Sequence, residues 1–243
     1  MPKKLGNGGV SMEAYNPQDG RYVDDGIPNK STFTNKNNLG NDLTPQQEEY
    51  FQDSKVRDEN GNLMIMYHSS NADFDIFDLS FANLKDGKLQ GFWFTNNEKQ
   101  KFFYGSNSVS CYINITNPVN RTQITLSTEE IKQLATIRGL QNKVNDEIVQ
   151  KFINNGTFSS DYDIIRYFAP KTNNEEYKKY INKIKETTGY DGYMLEDYDT
   201  EAVYAIAFNP NQIKLVTNQN PTNSNSISDE EAEAMKYFNG GNQ

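Results

Sequence analysis

The sequence predicts an α+β fold with a mainly antiparallel sheet, on three observations. Short apolar runs of strand length, bounded by turn clusters, occur on both sides of one long helical stretch at 127–188. Within that stretch, several segments open with side chains suited to capping helix N-termini. The composition also carries 14 Phe and 15 Tyr, although apolar residues make up only 35% of the chain. Each buried aromatic removes ~150–250 Å² from water, so a modest number can anchor a core.

The elements follow in chain order. Thr44-Pro45-Gln46-Gln47 supplies an N-cap, a first-turn proline and a capping-box partner, giving a helix to about Gln52. Asp58 to Asn62 is a turn, and Leu63 to His68 (LMIMYH) is a strand. Gly91 to Thr95 (GFWFT) is a second strand. Asn96 or Asn97 caps a short helix ending at Tyr104, with Gly105 in the C′ position. Ser110 to Ile115 (SCYINI) is a strand stopped by Asn117-Pro118. Ser127 with Glu130 opens a helix to about Arg138; Asn145–Asn154 and Tyr162–Phe168 are two more. Thr172 with Glu175 opens a fourth, whose Tyr177, Ile181, Ile184 and Lys185 recur at three- and four-residue spacings until Gly189. Strands return at Gly192–Glu196, Ala202–Phe208 and Ile213–Val216, the first two joined by a polar turn at Asp197–Thr200.

Outside this middle the chain is polar. Asn accounts for about one residue in eight, concentrated in turns and ends. Residues 1–43 are rich in Gly, Asn, Asp and Pro without apolar periodicity, so they are expected to form a flexible or docked arm. The ordered domain is expected over 44–217. Residues 218–243 form a polar linker and a short acidic helix at Asp229–Phe238, which Ser228 can cap with Glu231 as its partner.

Composition also excludes. With 33 acidic against 24 basic residues the net charge is −9, which argues against bulk nucleic-acid binding because phosphate contact needs clustered Lys and Arg. No apolar run approaches the ~18 residues of a membrane helix, and residues 1–20 lack a signal-peptide core. One Cys and one His exclude a disulfide framework and a zinc-finger cage. No G-x-G-x-x-G opens a helix after a strand, and no P-loop is present. Any imidazole chemistry therefore centres on His68, while Cys111 reads as a small buried hydrophobe.

Polar and aromatic groups recur at strand ends: Tyr67-His68-Ser69-Ser70, Gly91-Phe92-Trp93-Phe94-Thr95, Tyr104, Asp191-Gly192-Tyr193 and Phe208-Asn209-Pro210-Asn211-Gln212-Ile213-Lys214. Taken singly, each has a plainer reading. A histidine at a strand end is often structural, Trp93 fits core packing, Tyr104 fits helix–sheet packing, and Glu201 fits a solvated hairpin.

Taken in order, with Phe51 to Gly61, Phe74–Phe77, Asn117-Pro118 and Gly189-Tyr190 added, these blocks resemble an ADP-ribosyltransferase domain of phage and mobile-element polyvalent proteins, over about 50–222. The resemblance implies a split antiparallel β-fold, with a helical insert at 127–188, gripping NAD⁺ in a cleft between two small sheets. It implies that His68 orients NAD⁺ through a ribose hydroxyl, that Ser69 and Phe94 line the site beside it, and that Trp93 and Tyr104 enclose nicotinamide. A cationic planar ring favours such aromatic faces. The family's glutamate precedes the late Tyr-Val-Val-Phe-like strand. Here the position four before Phe208 is Tyr204, and Glu201 lies three residues further back. Ser69 stands where family members usually have glycine.

The function implied is transfer of ADP-ribose from NAD⁺ to a bacterial macromolecule, with Glu201 and His68 catalytic. The partner implied is a host or phage protein, as acceptor or in assembly, in the bacterial cytoplasm or the phage virion. Two alternatives accompany it: an inactive phage structural or packaged protein that kept the fold, and NAD⁺ hydrolysis with water as acceptor.

Overall fold

A computed structural model describes residues 30–71, 77, 91–100, 105–170, 174–197 and 202–222. Six strands, β1 (Met66–Ser70), β2 (Phe92–Thr95), β3 (Asn107–Ile113), β4 (Gly192–Asp197), β5 (Ala202–Ala207) and β6 (Ile213–Leu215), form one antiparallel sheet in the order β4-β5-β2-β1-β3-β6. Five helices join it: α1 (Pro45–Phe51), α2 (Thr128–Ala135), α3 (Asp146–Asn154), α4 (Asp161–Phe168) and α5 (Asn174–Thr188). The α+β class holds. The strands belong to a single six-stranded sheet, where two small sheets were expected.

The sheet's two faces bury different partners because side chains alternate along each strand. On one face Tyr193, Leu195 and Ile206, from β4 and β5, pack with α2 to α5 through Ile131, Leu134, Ile164, Phe168 and Tyr180. On the same face at the other end, Tyr112 of β3 packs with Leu43, Phe51, Leu63 and Ile65, so α1 covers this half. The opposite face is aliphatic and aromatic: Met66, Phe92, Phe94, Val109, Cys111, Ile113, Met194, Ala205, Ala207 and Leu215, joined by Val56 and Ile115. Cys111 is buried there as a small apolar residue.

Two of the caps read from the sequence are formed: the Thr44 and Ser127 side chains accept from the Gln47 and Glu130 amides in capping boxes. Asn145 caps α3, and Ser160 caps α4, which starts at Asp161, one residue before the expected Tyr162. Helix α4 begins with Asp161, which is fully buried, yet its carboxylate accepts from the Thr125 and Leu126 amides and the Thr125 and Tyr190 hydroxyls. A buried charge with that many donors is satisfied, and it pins the loop before α2 to α4.

Several boundaries differ from expectation. The run from Leu63 becomes strand only at Met66, because Leu63 bridges to Asn37 and Arg57 instead. Strand β3 starts at Asn107. After β2 the described residues contain a 3₁₀ turn, Glu98–Gln100; the remainder of the helix expected to end at Tyr104 lies outside them. Residues 30–43, assigned to the arm, are docked: Asn37 is buried, donates to the Tyr112 hydroxyl at 3.0 Å and accepts from the Leu39 and Asn41 amides. Here asparagine builds a turn rather than advertising disorder. The acidic helix expected at Asp229–Phe238, and the Thr172 cap, lie outside the described residues. Among the described residues no helix is long and apolar enough to cross a membrane.

Candidate functional site

The sheet narrows where β1 meets β2. Strands β1 and β3 register over five positions and β2 and β5 over four, but β1 and β2 pair at Tyr67↔Thr95 alone. Two half-sheets, β4-β5-β2 and β1-β3-β6, therefore meet at one short seam. Continuing that register sets His68 opposite Phe94 and Ser69 opposite Trp93. The first pairing is borne out by ring centroids 5.3 Å apart.

At this seam His68 Nδ1 lies 2.8 Å from the Trp93 carbonyl. A carbonyl only accepts, so Nδ1 carries the hydrogen and donates. In the neutral ring the remaining lone pair then sits on Nε2. Aromatic residues surround the imidazole: Phe77 stands edge-on at 5.4 Å and Phe94 is tilted against it. This burial lowers the His68 pKa below its ordinary 6.5, opposed by the bond to the Trp93 carbonyl. The ring is neutral at pH 7, with its tautomer fixed by backbone.

Trp93 shares that peptide group but sends its indole to the other face. There it lies between the part of the sheet covered by the helical layer and the part covered by α1, and 36% of it is exposed. The expected joint lining by His68 and Trp93 is thus a contact across one peptide, with the two rings leaving opposite sides of β2. Ser69 falls on the indole's side by register. Phe94 is 1% exposed and supports the imidazole from within the core. Tyr104 and Glu201 lie outside the described residues. Strands β4 and β5 register without a bulge from Gly192↔Ala207 to Asp197↔Ala202.

Two glycines allow close backbone approach, one within each half of the sheet. Gly91 has φ +135°, and a Cβ there would stand 2.5 Å from the Ala207 carbonyl oxygen of β5. Gly105 is needed for space: a Cβ would come within 2.0 Å of the Ser70 carbonyl carbon at the end of β1. Its backbone is not left-handed, so the helix-terminating role expected of it is replaced by close approach.

A polar cluster the sequence did not reveal sits under Trp93. Thr95 Oγ1 and the Tyr204 hydroxyl both donate to Gln100 Oε1, at 3.2 and 3.0 Å, and the Tyr204 ring meets the indole edge-on at 6.2 Å. Thr95 and Tyr204 share a face through their register; Gln100 follows β2 by five residues. The one available signal was that alternation puts Tyr204 beside Trp93. No groups of His, Cys, Asp or Glu suited to a metal occur among the described residues.

A curled antiparallel sheet with helices packed on one face is consistent with an α+β fold of the ADP-ribosyltransferase type. The model of the family described as ADP-ribosyltransferase in polyvalent proteins matches residues 58–223, and the chain belongs to that family. No curated protein and no solved structure matches the chain significantly.

Proposed function

We propose that the chain transfers ADP-ribose from NAD⁺ to a bacterial macromolecule, as the product of a phage or mobile element. The family membership supports the reaction class. The single observation that carries the site is the His68 imidazole, held neutral and in one tautomer against the Trp93 carbonyl at 2.8 Å, at the sheet's narrow seam. From there Nε2 accepts a hydrogen bond from a ribose hydroxyl of NAD⁺. The Trp93 indole and Ser69 leave the opposite side of the sheet, so they are not proposed to share the imidazole's contact with NAD⁺. Phe94 contributes by backing His68.

In the reaction the bond between the ribose anomeric carbon and the pyridinium nitrogen breaks. Its electron pair goes to nicotinamide, which leaves neutral. A nucleophile of the acceptor bonds to the anomeric carbon and releases its proton to solvent. Glu201, in this reading, steadies the positive charge that develops on the sugar. The test incubates the full chain with NAD⁺ labelled in the ADP-ribose part and with bacterial lysate. Label on macromolecules supports transfer, free ADP-ribose points to hydrolysis, and neither product favours a non-catalytic role.

The histidine gives a second prediction. Because burial lowers its pKa, NAD⁺ affinity should stay flat as pH falls to 6.5 and drop only at more acid pH, when Nε2 gains a proton and ceases to accept. Stability should follow the same sign. The unfolded chain takes up the proton first, so the contribution is full above 6.5 and is lost as pH falls through the lowered folded value. Calorimetric titration with NAD⁺ across pH 5 to 8, beside thermal melts, checks both. A fall in affinity centred above 6.5 would remove His68 from the hydroxyl contact.

A further inference from the structure

The helical layer differs in charge from the rest of the chain. Residues 127–188 carry ten basic against nine acidic side chains, while the whole chain stands at −9. Several of those acids are already engaged. Asp161 is buried on Thr125 and Tyr190, Asp163 closes the Ser160 capping box, and Glu129 and Glu175 pair with Lys132 and Lys178. Arg138, Lys151 and Arg166 are exposed, and none of them forms an ion pair among the described residues.

These cations gather around one exposed ring. Tyr167 of α4 is 42% exposed, although its ring meets Phe152 of α3 at 5.6 Å and Phe158 at 5.3 Å. Arg166 is its neighbour in sequence, Lys151 adjoins Phe152, and the Arg138 guanidinium donates to the Tyr167 carbonyl at 3.0 Å. An aromatic ring left in water amid uncompensated positive charge fits a ligand that carries carboxylates and apolar side chains together.

The chain holds such a segment. Asp229–Phe238 (DEEAEAMKYF) sets four acids ahead of Met235, Tyr237 and Phe238. The described chain ends at 222, just after the Gln219 carbonyl accepts from Thr44 Oγ1 at the start of α1. Helix α1 covers the same face of the sheet as the helical layer, so the tether starts on the face that carries the patch. Residues 223–228 can span about 20 Å when extended. That matches the four strand steps of ~4.8 Å from β6 to β5, which lies under the helical layer.

We propose that Asp229–Phe238 docks on the Tyr167 patch of its own domain, its carboxylates on Arg138, Lys151 and Arg166 and its apolar residues against the ring. A ring among cations also matches single-stranded nucleic acid. The covalent tether and the −9 net charge favour the chain's own acidic stretch.

The test treats the full chain with a carbodiimide, which joins a lysine amine to a carboxylate only where the two touch, and maps the products by mass spectrometry. Lys151 should couple to an acid of 229–233 within the monomer. Salt at about 1 M, which shortens the screening length to about 3 Å, should cut that yield by about threefold or more. Arg166→Gln removes no coupling site and should still lower the yield. Tryptic cleavage at Lys236 should run about two- to fivefold faster in that variant, the worth of one exposed ion pair. Lys185→Gln, on α5, should leave both readouts unchanged. Coupling confined to covalent dimers would overturn docking on the segment's own domain. Equal cleavage at Lys236 in native protein and Arg166→Gln would overturn the docking altogether, as would coupling of those acids to Lys179 and Lys185 as readily as to Lys151. So would a single-stranded DNA oligonucleotide that binds native protein, loses affinity with Arg166→Gln and leaves Lys236 cleavage untouched.

Discussion

Replacing Glu201 with alanine is expected to lower ADP-ribosyl transfer by about 10²–10³-fold while NAD⁺ binding survives, the loss typical of one electrostatic contact made in the transition state. The asymmetry follows from where charge develops. In bound NAD⁺ the positive charge lies on the pyridinium ring. As the glycosidic bond breaks, it moves to the ribose carbon, and only then does a carboxylate near the sugar gain its full interaction. The contact proposed for His68 is made in bound NAD⁺ itself, so calorimetric affinity should change little. Single-turnover label transfer to an acceptor gives the rate. Unchanged rates in the variant would take Glu201 out of the site without touching the family assignment.

Much of the fold was legible because its signals are local. Thr44 and Ser127 announce their helices through capping boxes that satisfy backbone donors within four residues, and the structure forms both. The strands at 92–95 and 202–207 were equally plain from their apolar runs. What could not be read depends on contacts distant in sequence. Strand order puts β2 between β5 and β1, and nothing local states that only Tyr67↔Thr95 joins the two halves. Gly105 looked like a helix terminator because glycine commonly is one; its actual constraint, the Ser70 backbone, lies 35 residues away. Gln100 resembled any polar residue after a strand until Tyr204, on a strand more than a hundred residues later, gave it a partner. The candidate site drew attention at His68, where the Tyr-His-Ser-Ser block stood out. It was illegible where a register decides which side of the sheet a ring leaves.

The largest expected loss of stability comes from Arg57, in the charge-rich stretch Lys55 to Glu59. The side chain is 3% exposed and forms no ion pair among the described residues. Its guanidinium donates to four backbone carbonyls: Nε to Ser54 at 3.1 Å, one terminal nitrogen to Thr34 and Gly61 at 3.1 and 2.9 Å, and the other to Phe51 at 2.9 Å. Phe33 packs on its face, with the central carbon 4.3 Å from the ring centroid. Burial lowers its pKa, opposed by Asp58, but from 12.5 the group stays charged. One side chain thus ties the end of α1, the Gly61 turn and the docked segment at 33–34. Arg57→Leu fills some of the space but strands buried acceptors, each costing about 1–3 kcal/mol, so a net loss of about 3–5 kcal/mol is expected once relaxation and water entry recover part of it. Arg57→Lys keeps the charge yet cannot reach carbonyls in four directions, and should fall between Leu and the native residue. Urea unfolding followed by circular dichroism gives both values, and a lysine variant within about 0.5 kcal/mol of native would show that the fork geometry is irrelevant. Domains of this kind hold about 5–15 kcal/mol in all, so the leucine variant should be partly unfolded at elevated temperature. The damage should also reach the site: Leu63, Ile65 and Tyr67 share the α1 cluster, and Tyr67 is the residue through which β1 meets β2. Loosening that cluster frees the seam that positions His68 against the Trp93 carbonyl. NAD⁺ affinity should therefore fall in the leucine variant even where its residual fold persists.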